Sequence, residues 1–178
     1  SIPLIVVMRE ILKLVKNQKE LKRLLNEKKI LINHKEIRET AYPVCLFDII
    51  SFADSKKNFK ATFSKNKKMI FEEVSNKEAE IKIYKIINKK LLGKNKIQLN
   101  LIQGKNIISS EKANTGDSVV LNLKDNKIIE IMPVEKGRTA FALKGKHMGN
   151  SGKIIEIMER GGKKIAKIES DGKRINVW

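Results

Sequence analysis

Apolar residues recur at helical spacing from the start of the chain. Leu4, Val7, Met8, Ile11, Leu12 and Val15 would share one face of a first helix. Ser1 and Pro3 suit its entrance, because the missing proline N–H costs nothing in a first turn. Asn17 followed by Glu20 has the spacing of a capping box, with Asn in place of Ser or Thr, and predicts a second helix. Leu21, Leu24 and Leu25 form the apolar stripe of that helix, and Lys19, Lys22 and Arg23 fall off it. Short strands follow at Ile30-Leu31-Ile32 and Glu36-Ile37-Arg38 around a turn at Asn33-His34. After Tyr42-Pro43 the chain is again extended through Phe47-Asp48-Ile49-Ile50.

From about Ala53 the period falls from 3.6 to 2. Phe59/Ala61/Phe63, Ile81/Ile83 and Ile97/Leu99/Leu101 alternate with polar neighbours, which predicts half-buried strands facing the core through those residues. Asn66-Lys67, Gly104-Lys105 and Thr115-Gly116-Asp117 are turn signals between them. Val119 to Leu123 and Ile128 to Met132 read as strands flanking Asp125-Asn126, and Ser75 with Glu78 can cap one short helix. Pro133 precedes a last segment of four or five short strands over 139–178, punctuated by a Gly-rich loop, by Arg160-Gly161-Gly162 and by Asp171-Gly172. The expected class is α+β, mostly β. Its parts are a helix–helix–strand domain over 1–52, a small barrel-like β domain over 53–132, and a minimal SH3-like barrel over 133–178.

Charge changes this picture from fold to partner. The 178 residues carry 38 Lys+Arg against 20 Asp+Glu, a net +18. Only six of the cations are Arg, and Asn and Ile are abundant too, so a biased nucleotide composition accounts for some of the lysine. Such a bias should raise Glu with Lys, and the acids do not keep pace. The excess is spread as +4 over 1–52, +9 over 53–128 and +5 over 129–178, not gathered in a tail. A field of this kind attracts phosphate backbones by releasing their counterions. Anionic membrane is the rival polyanion, but no basic amphipathic helix or lipidation signal stands out. The apolar run Leu4 to Met8 falls far short of the ~20 residues of a membrane span, and it lacks the flanks of a signal peptide. One cysteine, Cys45, excludes an internal disulfide and points to a reducing compartment. With only His34 and His147 beside it, no metal site or cofactor is expected.

Two stretches carry recognition. In "ALKGKHMGNSGKIIEI" (142–157), Gly145, Gly149 and Gly152 sit in eight residues beside Lys144, Lys146, His147 and Lys153. Glycines let backbone approach a ligand, so exposed N–H groups and ammonium groups could face a phosphate chain together. A barrel turn using glycine for geometry alone explains the spacing as readily. The whole segment resembles the KOW motif of ribosomal proteins and transcription-elongation factors. "KNQKELKRLLNEKKILINHKEI" (16–37) resembles the S-four type RNA-binding domain, in which the second helix and the adjoining strand turn face structured RNA. By position, Lys19, Lys22, Arg23, Lys28, Lys29, Lys35 and Arg38 match that face. Lys28-Lys29 stand where that family commonly has a glycine, and Asn33-His34 where it has Asn-Gly. Asn and His tolerate the left-handed region better than most residues.

The order of these parts, with "SIPLIVVMREIL", "KIQLNLIQGKNI" and "TGDSVVLNL", resembles the S-four-e family of small-subunit ribosomal proteins over essentially the whole chain. That resemblance implies a cytoplasmic protein of the ribosome, with small-subunit rRNA and neighbouring small-subunit proteins as partners. It implies no membrane and no small-molecule substrate. Family members usually begin with a further basic extension, so a chain starting at Ser1 is expected to be a fragment or to omit a disordered arm. With aromatics at 5%, contacts should go to phosphate, sugar and shape more than to stacked bases.

S-four-like domains also occur on RNA-modifying enzymes. Here Asp48 starts a strand, while Asp54, Asp117, Asp125 and Asp171 fit turns or loop ends, and no catalytic motif surrounds any of them. Cys45 has no histidine near it in sequence, and no Walker loop or dinucleotide fingerprint occurs. No catalytic residue is assigned. A structural rRNA-binding protein is the first expectation, a free RNA-binding regulator or KOW-bearing elongation factor the second, and an RNA-modifying enzyme the third.

Overall fold

The computed structural model describes residues 1–64, 66–93, 96–143, 145–160, 163–170 and 173–177. Gly161-Gly162 and Asp171-Gly172, expected to punctuate the last strands, lie outside this set. Strands dominate and helices are few, so the α+β, mostly β class holds.

The first helix is shorter than its apolar period predicts. β1 (Ile2–Pro3) leads into α1 (Leu4–Val6), a single turn that runs on as a π-helical turn at Val7–Ile11. The α1 N–H groups of Leu4 and Ile5 donate to the carbonyls of Tyr42 and Thr40, which replaces a side-chain cap. Leu12 N donates to Val7 O, five residues back, so the turn is wider than an α-turn. The extra residue per turn rotates the stripe. Leu4, Val7, Met8 and Val15 stay buried, whereas Ile11, expected inside, is 37% exposed.

α2 (Gln18–Asn26) begins as predicted. The Asn17 side chain accepts from Glu20 N at 3.0 Å, and Glu20 Oε2 reaches back to Lys16 N at 2.8 Å. Such a cap stabilises a helix by about 1 kcal/mol. Leu21 and Leu25 are buried, with Leu24 partly so. The helix ends in a Schellman motif: Lys29 N donates to Leu24 O and Lys28 N to Leu25 O. Lys28 therefore holds the left-handed position, at φ +57°. That is the place where glycine is expected, and a side chain there costs about 1–2 kcal/mol.

β2 (Ile30–Ile32) and β3 (Lys35–Glu36) form a hairpin whose two-residue loop, Asn33-His34, has φ +51° and +60°. Two positive φ values make it the primed turn that matches strand twist. β4 (Pro43–Val44) pairs with β1, and β5 (Ile49–Phe52) pairs with β2. β5 starts later than the expected extended run, because Phe47 is left-handed at φ +63° while its N–H donates to Ala61 O. β6 (Asn58–Phe63) and β7 (Met69–Val74) complete a sheet of order β3-β2-β5-β6-β7. α3 (Asn76–Ala79) follows, capped as predicted by Ser75 on Glu78 N.

β8 (Ile81–Gly93) reverses the predicted phase. Ile81 and Ile83 were expected inside, yet Lys82, Tyr84 and Ile86 are the buried residues and Ile83 is 39% exposed. The cause is an ion pair. The Lys82 side chain, 1% exposed, donates to Asp48, 4% exposed. Asp48 also accepts from Asn33 Nδ2 at 2.7 Å and from Cys45 N at 2.6 Å. A buried carboxylate needs its partners, and that requirement turns the strand.

β9 (Lys96–Leu101), β10 (Asn106–Ser109), β11 (Ser118–Asn122) and β12 (Ile128–Met132) join β8 in the order β10-β9-β8-β11-β12. Leu99 and Leu101 are buried, as the alternation predicts. β13 (Thr139–Phe141), β14 (Ser151–Arg160), β15 (Lys163–Ser170) and β16 (Lys173–Val177) form an antiparallel meander. Among the described residues the last segment thus has four strands, and β14 and β15 are not short.

The chain divides into two units. The first comprises Ser1–Thr62, Met69–Ile83 and Val120–Ile129. Its main core gathers Leu4, Met8, Leu21, Leu25, Ile30, Ile32, Val44 and Ile50, and a smaller cluster gathers Ile49, Ala79 and Leu123. The second comprises Phe63–Lys68, Tyr84–Val119 and Glu130–Trp178. Leu99, Leu101, Val119, Ala142, Ile154 and Ile168 are among its buried residues.

Candidate nucleic-acid interface

In the first unit, the seven cations singled out from sequence lie on α2, on the turn after it, and around the β2–β3 hairpin. Six are exposed and Lys29 is half-buried. They divide by what they already hold. Arg23 Nε meets Glu27 at 2.7 Å, Lys28 meets Glu36 at 2.9 Å, and Lys29 lies 3.3 Å from Glu27 and 3.2 Å from Asp54. The Glu27 carboxyl is held below its ordinary range, first by the Arg23 hydrogen bond and then by that of Lys29. Lys29 is raised, chiefly by its hydrogen bond to Asp54. Among the described residues, Lys19, Lys22, Lys35 and Arg38 have no carboxylate within 4 Å. Lys22 and Arg38 line a cleft of about 270 Å³ with Gln18, Glu39, Thr40 and Ala41, where Gln18 Nε2 donates to Thr40 Oγ1 at 2.8 Å.

The hairpin turn beside these cations is fixed from inside. Asn33 N donates to Ile49 O, Asn33 Oδ1 accepts from Ile49 N, and Asn33 Nδ2 holds Asp48. His34 Nε2 lies 3.0 Å from Ala79 O, and as the donor it ties the turn to α3. His34 is thus a turn residue with a structural bond. The buried Asp48–Lys82 pair underlies the same turn. Sequence could not reveal it, because Ile81/Ile83 and Tyr84/Ile86 offer equally apolar phases, and only a carboxylate distant in sequence selects between them.

In the second unit the KOW-like loop runs between β13 and β14. Lys144 lies outside the described residues. Lys146 and Lys153 are exposed and His147 is half-buried. The three glycines do different work. Gly152 sits inside β14, where an added Cβ would lie 2.0 Å from Glu169 O. Gly149 has φ +89°, and its Cβ would lie 2.9 Å from Ser64 O. Both are required by close backbone approach within the protein. Gly145, at φ +85°, faces open space. Three of the loop's N–H groups are taken up within the protein: Met148 N donates to Gly145 O, Gly149 N to Ala142 O and Asn150 N to His147 O.

Two further exposed cations, Lys67 and Lys68, lie on the β6–β7 turn and were not singled out from sequence. An Asn-Lys turn signal is common, and nothing in it says what lies alongside.

Among the described residues, the aspartates outside any catalytic motif have local bonding roles. Asp117 is buried and accepts from Asn114 N and Val134 N, Asp125 accepts from Lys127 N, and Asp54 pairs with Lys29. Burial, followed by the charge of Asp48, pushes the Cys45 thiol above its ordinary value, away from the thiolate a nucleophile needs. Among the described residues no three of His, Cys, Asp and Glu gather as a metal site, and no helix is long and apolar enough to cross a membrane.

The chain is similar to known proteins. A sequence profile described as Ribosomal family S4e matches residues 55–128. Small ribosomal subunit protein eS4 of Methanospirillum hungatei is 33% identical over 97% of this chain and 74% of its own length. The protein of the same name from Methanocaldococcus jannaschii is 31% identical, over 90% of this chain and 69% of its own length. The crystal structure of the 30S ribosomal protein S4e from Thermoplasma acidophilum matches 99% of this chain and 90% of that one, with a TM-score of 0.82. At 22% identity, that likeness shows a shared fold. With two relatives above 30% identity over most of their length, and the profile match over residues that neither recognition motif covers, the chain belongs to the ribosomal S4e family.

Proposed function

We propose that the chain is a structural component of the small ribosomal subunit, holding folded rRNA through phosphate and shape contacts. The observation that carries this reading is a set of exposed cations without carboxylate partners, placed on elements whose backbone is fixed from inside. Lys19, Lys22 and Lys35 stand on a capped helix and a hydrogen-bonded hairpin, Arg38 follows two residues after that hairpin, and Lys146 stands on a loop closed by its own carbonyls. Charges on rigid supports lose little entropy on binding, and several together neutralise the repulsion between RNA helices. The names of the relatives, small ribosomal subunit protein eS4, support the same reading.

The division at 52 and 132 belongs to this proposal: an S-four-like part and a KOW part flank a β-rich middle. So does the choice of site residues, of which Lys19, Lys22, Lys35, Arg38 and Lys146 are the strongest and Lys144, His147 and Lys153 secondary. The partners are small-subunit rRNA and the adjoining small-subunit proteins, the place is the cytoplasmic ribosome, and neither an enzymatic step nor a cofactor enters the role.

Co-sedimentation tests the reading. The chain should travel with small subunits and remain after a moderate-salt wash. Distribution away from subunits would instead favour a free RNA-binding regulator, and modification of RNA by the isolated chain would favour an enzyme.

A further inference from the structure

The middle of the chain carries the largest charge excess, and neither recognition motif lies there. Part of it sits on the turn between β6 and β7, and that turn lies against the KOW-like loop at Ser64 O. Lys67 N donates to Ser64 O at 2.9 Å, and the Cα face of Gly149 lies against the same oxygen, its Cβ position 2.9 Å away. The Cβ of Phe63 is 3.3 Å from that position, so the contact leaves no room for any side chain larger than hydrogen. The turn is itself closed: Ser64 N donates to Lys68 O at 2.8 Å, and Ser64 Oγ accepts from Lys68 N at 3.3 Å. Lys67 and Lys68 are exposed, as is Lys146 three residues before Gly149. No acidic residue occurs in 63–68 or in 142–153. Among the described residues none of the three lysines has a carboxylate within 4 Å.

We infer that the β6–β7 turn and the KOW-like loop form a single RNA-backbone site, with Lys67, Lys68 and Lys146 on neighbouring phosphates of one strand. This rests on the rRNA-binding reading and extends it to residues outside both recognition motifs. Three ammonium groups on two loops that share a contact atom, with no acid in either loop, repel one another until a polyanion bridges them. Phosphate groups repeated along a strand supply that bridge by counterion release. The Gly149 contact fixes the spacing, so the two loops bind as one surface.

The test uses the full chain with protein-free archaeal small-subunit rRNA, measuring affinity against KCl and backbone protection from hydroxyl radicals. Lys67→Ala with Lys68→Ala should lower affinity about tenfold and reduce the salt slope by about 1.5, with unfolding unchanged. Lys146→Ala should remove protections that overlap those lost in the double variant, and Lys→Arg at all three positions should restore them. If the wild-type chain fails to bind, the rRNA reading itself falls. If it binds and the double variant keeps its slope, or the two sets of lost protections lie on separate strands, the shared site falls while the rRNA reading stands.

Discussion

On the α2 face of the first unit, Arg23, Lys28 and Lys29 are each held by a carboxylate of the same chain, while Lys22 and Arg38 are not. On the β6–β7 turn and KOW-like loop of the second unit, Lys67, Lys68 and Lys146 have no such partner among the described residues. Both regions are rich in lysine in the sequence. The difference is that one neutralises part of its charge within the chain, and the other leaves its charge for something else. Exposed ion pairs add little stability, about 0–1 kcal/mol, so pairing chiefly decides which cations are free to meet phosphate. Lys82 stands at the far end of this series: a lysine taken wholly inside, with no part in any surface.

The largest test of this ordering is Lys82→Met. It leaves Asp48 buried without its cation and should destabilise the chain by about 3–5 kcal/mol, read by denaturant unfolding. Lys22→Ala, by contrast, should leave unfolding within about 0.5 kcal/mol of wild type. Next comes Gly152→Ala. A Cβ placed 2.0 Å from Glu169 O must part β14 from β15, a loss of about 1–3 kcal/mol. Full stability in that variant would return Gly152 to the set of ligand-approach glycines.

The third compares binding. Lys144, Lys146 and Lys153 changed together to Ala should reduce the salt slope for rRNA by about 2 and lower affinity at least tenfold. Removing Arg23, Lys28 and Lys29 together should change the slope less. Equal slopes in the two triple variants would show that the KOW-like loop meets no more phosphate than the paired cations do. Lys153 is the weakest member of its set, because its cross-strand neighbour in the register is Glu169. The smallest effect is Lys28→Gly. Relieving a left-handed side chain at the end of α2 should raise stability by about 1 kcal/mol, with rRNA affinity nearly unchanged.

Much of the local structure was legible because local interactions make it. The Asn17 cap, the Ser75 cap, the Asn33-His34 turn and the strands at 97–101 and 128–132 all follow from residues a few positions apart. The first helix departs from its apolar period for a local reason. A π-turn at Val7–Ile11 preserves the apolar spacing in the sequence while rotating Ile11 outward. The glycines of the KOW-like loop were visible as a motif, but whether each serves a ligand or a neighbouring backbone was not.

By itself, the sequence determined the α+β class, the positions of caps and turns, the excess of positive charge and the resemblance to a ribosomal family. These depend on residue types and short spacings. Only the tertiary structure decided which phase of β8 faces inward, which cations are already paired, and that the β6–β7 turn lies against Gly149. Each of those depends on a partner tens of residues away: Asp48 for Lys82, Asp54 for Lys29, Ser64 for Gly149. The net charge was fixed by counting, but where that charge is free to act was fixed by which acids the fold brings beside it.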